Sequence, residues 1–168
     1  MGIGGVVGPG PLKYLNFMTQ TNRSRIVYLA QAMGAVIVGS VVTLTLVAIL
    51  FPDSPSAESN DQAEPPLFGL IIVWPVVSTL ALWFILSMTR RSTPTYWHAA
   101  GWSALSFTFV FALLAGPQTG LIFAWPYFIY SLTFLAWQLN STRDALFMTA
   151  LLQAAVMAVP ALIIKLST

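Results

Sequence analysis

Five long apolar runs separated by short polar segments organise the chain. Stretches free of formal charge and long enough to cross a bilayer occur at residues 26–50, 67–88, 97–115, 121–139 and 145–164. At about 1.5 Å of rise per residue, each reaches across a hydrocarbon core about 30 Å thick. The first is long enough to tilt, and the third and fourth are near the minimum. Backbone in hydrocarbon must satisfy its own hydrogen bonds, which leaves helices or a closed barrel. A barrel would alternate polarity in segments of about ten residues; these runs are continuous and rich in Leu, Ala, Phe and Ile. The pattern therefore predicts an all-α, polytopic integral membrane protein, a bundle of five transmembrane helices. Residues 1–25 form a cytoplasmic tail and residues 26–166 a single transmembrane domain with one polar outer loop at 51–66. The break Gly116-Pro117-Gln118-Thr119-Gly120 reads as a tight helix-hairpin turn, with a re-entrant pair as the alternative.

The polar segments set the orientation. With the N-terminus inside, Lys13, Arg23, Arg25, Arg90, Arg91 and Arg143 fall on the cytoplasmic side and only Lys165 outside. The acids Asp53, Glu58, Asp61 and Glu64 share the outer loop, a consistency check of little weight by itself. Five crossings then place the C-terminus outside, most simply in a bacterial inner membrane. The first apolar run is too long for a cleavable signal peptide and is expected to be retained. Ahead of it, a Gly/Pro-rich tip at residues 2–10 is expected to be disordered. Leu12, Leu15 and Phe17 or Met18 recur at helical spacing, so residues 11–18 read as a short interfacial helix or a plain approach to the first span. Residues 51–66 read as a solvated connector, with binding of an external partner as the alternative.

Composition narrows the function classes. Only 7% of residues are charged and 57% are apolar, against about 25% charged in a soluble domain. No cysteine is present, which removes disulfides, thiolate metal sites and cysteine nucleophiles. The net charge of +2 is spread too thinly to form a nucleic-acid surface.

Candidate chemistry is sparse. No Asp, Glu, Lys or Arg lies inside any of the five runs, whereas proton relays and ion pathways depend on such groups. His98 is the single histidine, too few ligands for a bis-histidine haem or a zinc centre. Nucleophile-elbow and phosphate-loop motifs are missing. The expectation is a non-enzyme with no cofactor or metal. At the cytoplasmic level, Arg90, Arg91, His98 and Arg143 read as a basic pocket for lipid headgroups or a partner's acids, with His98 alternatively a member of the interfacial aromatic belt. Asp144 reads as a salt-bridge partner or a helix N-terminal charge.

Inside the runs, mild polarity and small residues remain. Gln153 lies in the middle of the fifth run with Thr149 one turn earlier, and Gln31 is just inside the first. Such groups hydrogen-bond across helices or contact a ligand. Pro160 is expected to kink the fifth helix. That would open a notch lined by Gln153, Thr149, Tyr127, Tyr130 and Ser131, with Thr133 nearby. Ala30, Gly34, Ala35 and Gly39 in the first run, and Ala100, Ala104, Thr108 and Ala112 in the third, read as close-packing stripes, alternatively as a face for another subunit. Trp74-Pro75 and Trp125-Pro126 occupy similar places in the second and fourth runs. They fit either a parallel internal repeat or a shared preference of Trp-Pro for outer helix entrances.

In size, span number and tryptophan content the chain is similar to the tryptophan-rich sensory (translocator) protein family. That family's Trp/Pro-rich first loop and polar fifth helix have no counterpart here, so no residue roles carry over. The sequence leads to a non-catalytic subunit or assembly factor of a larger membrane complex. The alternatives are an oligomeric small-molecule transporter or channel, and a membrane receptor for a lipid or apolar ligand. Its expected partners are membrane lipids and either other membrane subunits or further copies of itself.

Overall fold

A computed structural model describes Leu15, Phe17, Met18, Thr21 and residues 24–52, 68–92 and 95–167, without the side chains of Leu70, Ser92 and residues 160–167. Residues 53–66 of the polar loop, the glycine-rich tip and the side chains of Pro160 and Lys165 lie outside the described residues. Five helices, α1 (Arg25–Leu50), α2 (Trp74–Ser92), α3 (Tyr96–Ala115), α4 (Pro117–Gln138) and α5 (Thr142–Ser167), build an all-α bundle. Five helical spans are long and apolar enough to cross a membrane, as a multi-pass membrane protein requires. Charged residues occupy only terminal turns: Arg25, Arg90, Arg91, Arg143, Asp144 and Lys165.

Helix boundaries differ from the sequence expectation where chemistry at the ends matters. α2 continues past Met88 to Ser92, so Arg90 and Arg91 form its last turn, where cations complement the helix dipole. Ahead of it, Gly69–Val73 is a π-helical turn in which the Trp74 amide donates to the Gly69 carbonyl. Pro75 has no amide and its ring would crowd the preceding turn, so a widened turn at this point relieves both problems. α4 starts at Pro117 rather than Leu121. Gly116 alone makes the α3–α4 turn, at φ 92° and ψ 159°, a region essentially reserved for glycine, and Pro117 sits in the first turn, where its missing donor costs nothing. Both hairpin arms are thus long enough to span, at 20 and 22 residues. Trp125-Pro126 accordingly falls inside α4 and not at a helix entrance.

The centre of the bundle is α4. In its membrane-spanning window 61% of residues are buried, against 17% for α1 and 28% for each of the others. α4 packs against α1, α3 and α5, while α2 packs against α3 and α5 and meets α4 at few points. Two close approaches hold α4. Gly120 lies against the Thr108 carbonyl and Ala112, where an added Cβ would come within 2.5 and 2.8 Å. The third-span stripe therefore serves packing within the chain. On the opposite side, the Trp125 indole donates to the Ala35 carbonyl at 2.9 Å and fills the space that Gly39 leaves. The buried face of α1 is Tyr28, Ala32, Val36 and Gly39, spaced at three and four residues. Ala30 and Gly34 face outward instead, and nothing lies within 4 Å of a Cβ built on Gly34.

Below this face, Leu15, Phe17 and Met18 tuck against the core near the N-terminal end of α1. Met18 is fully buried and its carbonyl accepts a hydrogen bond from the Tyr28 hydroxyl at 3.0 Å. The described part of the 11–18 segment thus packs against the core, where a short interfacial helix or a plain approach to the first span was expected.

Candidate functional site

The buried stripe of α2 is Pro75, Ser78, Thr79, Leu82 and Leu86, and that of α5 is Ala145, Met148, Thr149, Leu152 and Gln153. Three- and four-residue spacing puts each set on one helix face, and each set carries one polar pair. Ser78 Oγ donates to Gln153 Oε1 and lies 3.3 Å from the Pro75 carbonyl, tying α2 to α5. From α4, the Tyr127 hydroxyl lies against Ser78. The Tyr127 ring stacks on Phe107 of α3 at 4.0 Å and meets the Tyr130 ring edge-on at 5.6 Å. Gln153 sits about 16 Å from the N-terminal end of α5 and Tyr127 about 16 Å from the C-terminal end of α4 at 1.5 Å per residue, near the middle of a hydrocarbon core about 30 Å thick. The result is a polar layer in the interior, built by α2, α4 and α5 and walled by aromatic rings.

This layer is incompletely satisfied. Gln153 is 2% exposed and its Nε2 has no hydrogen-bond partner among the described residues; the hydroxyls of Thr79, Thr149 and Tyr130 are buried and likewise have none there. An unmet buried donor costs about 1–3 kcal/mol, so four at one level of a bundle mark a place where another molecule would be stabilised. Ser131 turns the other way. Its hydroxyl meets Ser103 at 3.1 Å across the α3–α4 interface and returns to the Tyr127 carbonyl at 2.7 Å. Thr133 lies closer to the C-terminal end of α4, where it and Trp137 approach the Tyr28 hydroxyl without completing hydrogen bonds.

Toward the N-terminal end of α4 the aromatic wall continues. Phe111 stacks on Phe123 at 4.6 Å and Trp74 of α2 tilts against Phe111 at 6.3 Å.

The end of the bundle where α1 begins and α4 ends is organised differently from a single basic pocket. Arg90 donates to Gln138 at 2.7 Å and lies 5.8 Å above the Tyr96 ring. His98 Nδ1 contacts the Thr95 hydroxyl at the start of α3. Arg91 and Arg143 are exposed. Arg25, half a membrane away from the polar layer, pairs with Asp144 at 2.9 Å and lies 5.7 Å over Trp137. Asp144 also accepts from the Ser141 hydroxyl, while its amide donates back to Ser141 Oγ, both at 3.0 Å, a reciprocal cap on α5. Two of the arginines thus hold down the C-terminal end of α4, and two are left for water or headgroups.

No family model, curated protein or solved structure matches the chain. Its function must be read from the site itself.

Of the residues expected from the sequence, Gln153, Thr149, Tyr127 and Tyr130 share the polar layer, and Ser131 belongs to the neighbouring helix contact. Sequence reasoning missed Ser78, Thr79 and Arg25. The signal for the first two was present in the three-and-four spacing of Pro75, Ser78-Thr79, Leu82 and Leu86. Arg25 was hidden because it marks the edge of the charge-free run. Chemically, the layer can donate several hydrogen bonds to an uncharged guest; it holds no charge to compensate an ion.

Proposed function

We propose that the chain is a non-catalytic membrane protein that holds a small neutral ligand in the polar layer at the centre of its bundle. The observation carrying this reading is the buried Gln153 amide, whose oxygen is engaged by Ser78 while its nitrogen has no partner among the described residues. A bundle that needed this glutamine only to join helices would use both ends of the amide. The concentration of cations at Arg25, Arg90, Arg91 and Arg143 supports a cytoplasmic N-terminus and an external C-terminus, in the inner membrane of a bacterium.

The test is to purify the protein and its Gln153→Leu variant in mild detergent and analyse the small molecules that each retains. The wild type is expected to carry a neutral compound at near-stoichiometric amount and the variant to lose it. Folding should be little affected, because the substitution removes an unmet donor and Ser78 keeps the Pro75 carbonyl. Equal retention by both proteins, or none by either, would refute the reading.

A second reading, a subunit or assembly factor of a larger complex, is favoured by α1. From Ser40 to Leu50 no residue of that helix is buried, so its outer half offers an apolar face to lipid or to a partner helix. Copurification of a different polypeptide at fixed stoichiometry supports it; a homo-oligomer supports the transporter reading instead.

A further inference from the structure

The four described arginines stand at one end of the bundle. The Arg90–Gln138 and Arg25–Asp144 contacts bring the start of α1, the end of α2, the end of α4 and the start of α5 to the same level. The chain supplies that end with a single acid. Asp144 is taken up by Arg25 and Ser141, and the other four acids, Asp53, Glu58, Asp61 and Glu64, belong to the segment that follows the opposite end of α1. Residues 1–24 add Lys13 and Arg23 and no acid. Arg91 and Arg143 are exposed, with no carboxylate partner among the described residues. Their counter-charge must come from outside the chain.

What lies beside these two arginines is apolar and open. On α2, Phe84, Met88 and Arg91 are spaced at four and three residues, so they share the exposed face opposite Ser78, Leu82 and Leu86. On α5, Arg143, Phe147 and Leu151 recur every four residues on the exposed face opposite Thr149 and Leu152. The two helices are packed neighbours tied at Ser78–Gln153 and run in opposite directions, so Arg91 and Arg143 crown adjacent apolar faces. A guanidinium meets phosphate oxygens with paired, charge-assisted hydrogen bonds, and phosphates are what a span encounters where it leaves hydrocarbon. Two cations above exposed Phe, Met and Leu complement a phospholipid in order, charge first and chain beneath. We infer that the α2–α5 face holds an anionic phospholipid, its phosphate between Arg91 and Arg143 and an acyl chain along Phe84, Met88, Phe147 and Leu151. The site is separate from the polar layer and does not depend on a ligand there.

The experiment uses the full chain in mild detergent, where the direction of insertion does not matter, and counts bound lipid by native mass spectrometry. Dioleoyl phosphatidylglycerol and zwitterionic dioleoyl phosphatidylcholine are titrated separately, and glycerophosphoglycerol, the same anionic headgroup without chains, is the third probe. Arg91→Gln combined with Arg143→Gln is the test variant. Lys165→Gln, which removes a cation near the opposite end of α5, is the control, and thermal unfolding checks that each variant folds. Saturable binding of phosphatidylglycerol, about tenfold or more tighter than phosphatidylcholine, is the expected result. That preference should vanish in the double variant and persist in Lys165→Gln. Glycerophosphoglycerol should bind far more weakly than the lipid, because it buries no chain. If it binds as tightly, the arginines take a free anion and the lipid assignment is wrong. Equal affinity of wild type for the two lipids, or a preference that survives in the folded double variant, overturns the site. So does an acidic polypeptide that copurifies with wild type, is lost from the double variant and resists displacement by phosphatidylglycerol, since the face would then be a protein interface.

Discussion

Replacing Gly39 by Ala tests the packing that centres the bundle on α4. A Cβ at position 39 would overlap the Trp125 indole, including the nitrogen that donates to the Ala35 carbonyl at 2.9 Å. The indole must swing away, losing a hydrogen bond worth about 0.6–2 kcal/mol inside a membrane. Crowding of a packed interface adds about 1–3 kcal/mol. The usual gain of Ala over Gly in a helix contributes little, because the spans stay helical in lipid or detergent when the bundle separates. The net cost is then about 2–4 kcal/mol, a decrease of roughly 30-fold or more in the folding equilibrium. Gly34→Ala is the matched control, since nothing lies within 4 Å of its Cβ, and its effect should stay within about 0.5 kcal/mol. The assay is an SDS titration in mixed micelles read by tryptophan fluorescence. In a Trp125→Phe background the Gly39→Ala cost should shrink by at least about 1 kcal/mol, because the obstructing indole nitrogen is gone. Equal midpoints for Gly39→Ala and Gly34→Ala, or an unchanged cost in the Trp125→Phe background, would refute the reasoning.

Gly116→Ala should destabilise by about 1–3 kcal/mol in the same titration, since φ 92° with ψ 159° strains any residue that carries a Cβ. Ser141→Ala removes the cap on α5 and should cost about 1 kcal/mol, with Ser141→Asn restoring most of it. The Arg25–Asp144 pair is largely exposed, at 58% and 32% of its side chains. A double-mutant cycle with Arg25→Gln and Asp144→Asn should therefore give a coupling below about 1 kcal/mol, smaller still in 1 M salt; a coupling above 2 kcal/mol would mean the pair is more desolvated than its exposure indicates.

The five spans were legible because absence of charge over a run of residues is a property of the chain taken one position at a time. Their ends were less so. A charge-free criterion stops α2 at Met88, yet the helix continues because Arg90 and Arg91 reach Gln138, the Tyr96 ring and the surroundings from its last turn. The start of α4 depended on reading Gly116-Pro117 as a cap followed by a first-turn proline, not as part of a longer loop. Gly34 and Gly39 are alike in type and setting, and only the position of Trp125 on another helix separates a packing glycine from a lipid-facing one.

The polar layer was half visible for a related reason. Glutamine in an apolar span is conspicuous, because its amide cannot be satisfied by its own helix as easily as a hydroxyl can, so Gln153 drew attention and Thr149 came with it. Serine and threonine are ambiguous. Thr43, Thr45, Ser87, Thr108 and Thr119 all return their hydroxyls to carbonyls three or four residues earlier, as membrane helices commonly allow. Ser78 has the same option at Pro75 but also reaches Gln153, and only its place in the three-and-four stripe of α2 distinguishes it. The distinguishing property is burial, which in lipid runs opposite to its rule in water. The most apolar span, α1, is the least buried, while the Tyr- and Ser-bearing α4 is enclosed on nearly every side. Hydrocarbon solvates leucine and valine, so packing in the bundle is won by small residues, aromatics and hydroxyls. Hydropathy alone does not find the centre, since α5 is the least apolar span and only 28% of its window is buried; it is α4, with Tyr127 and Tyr130 at mid-membrane, that brings the polar groups of α2 and α5 to one point.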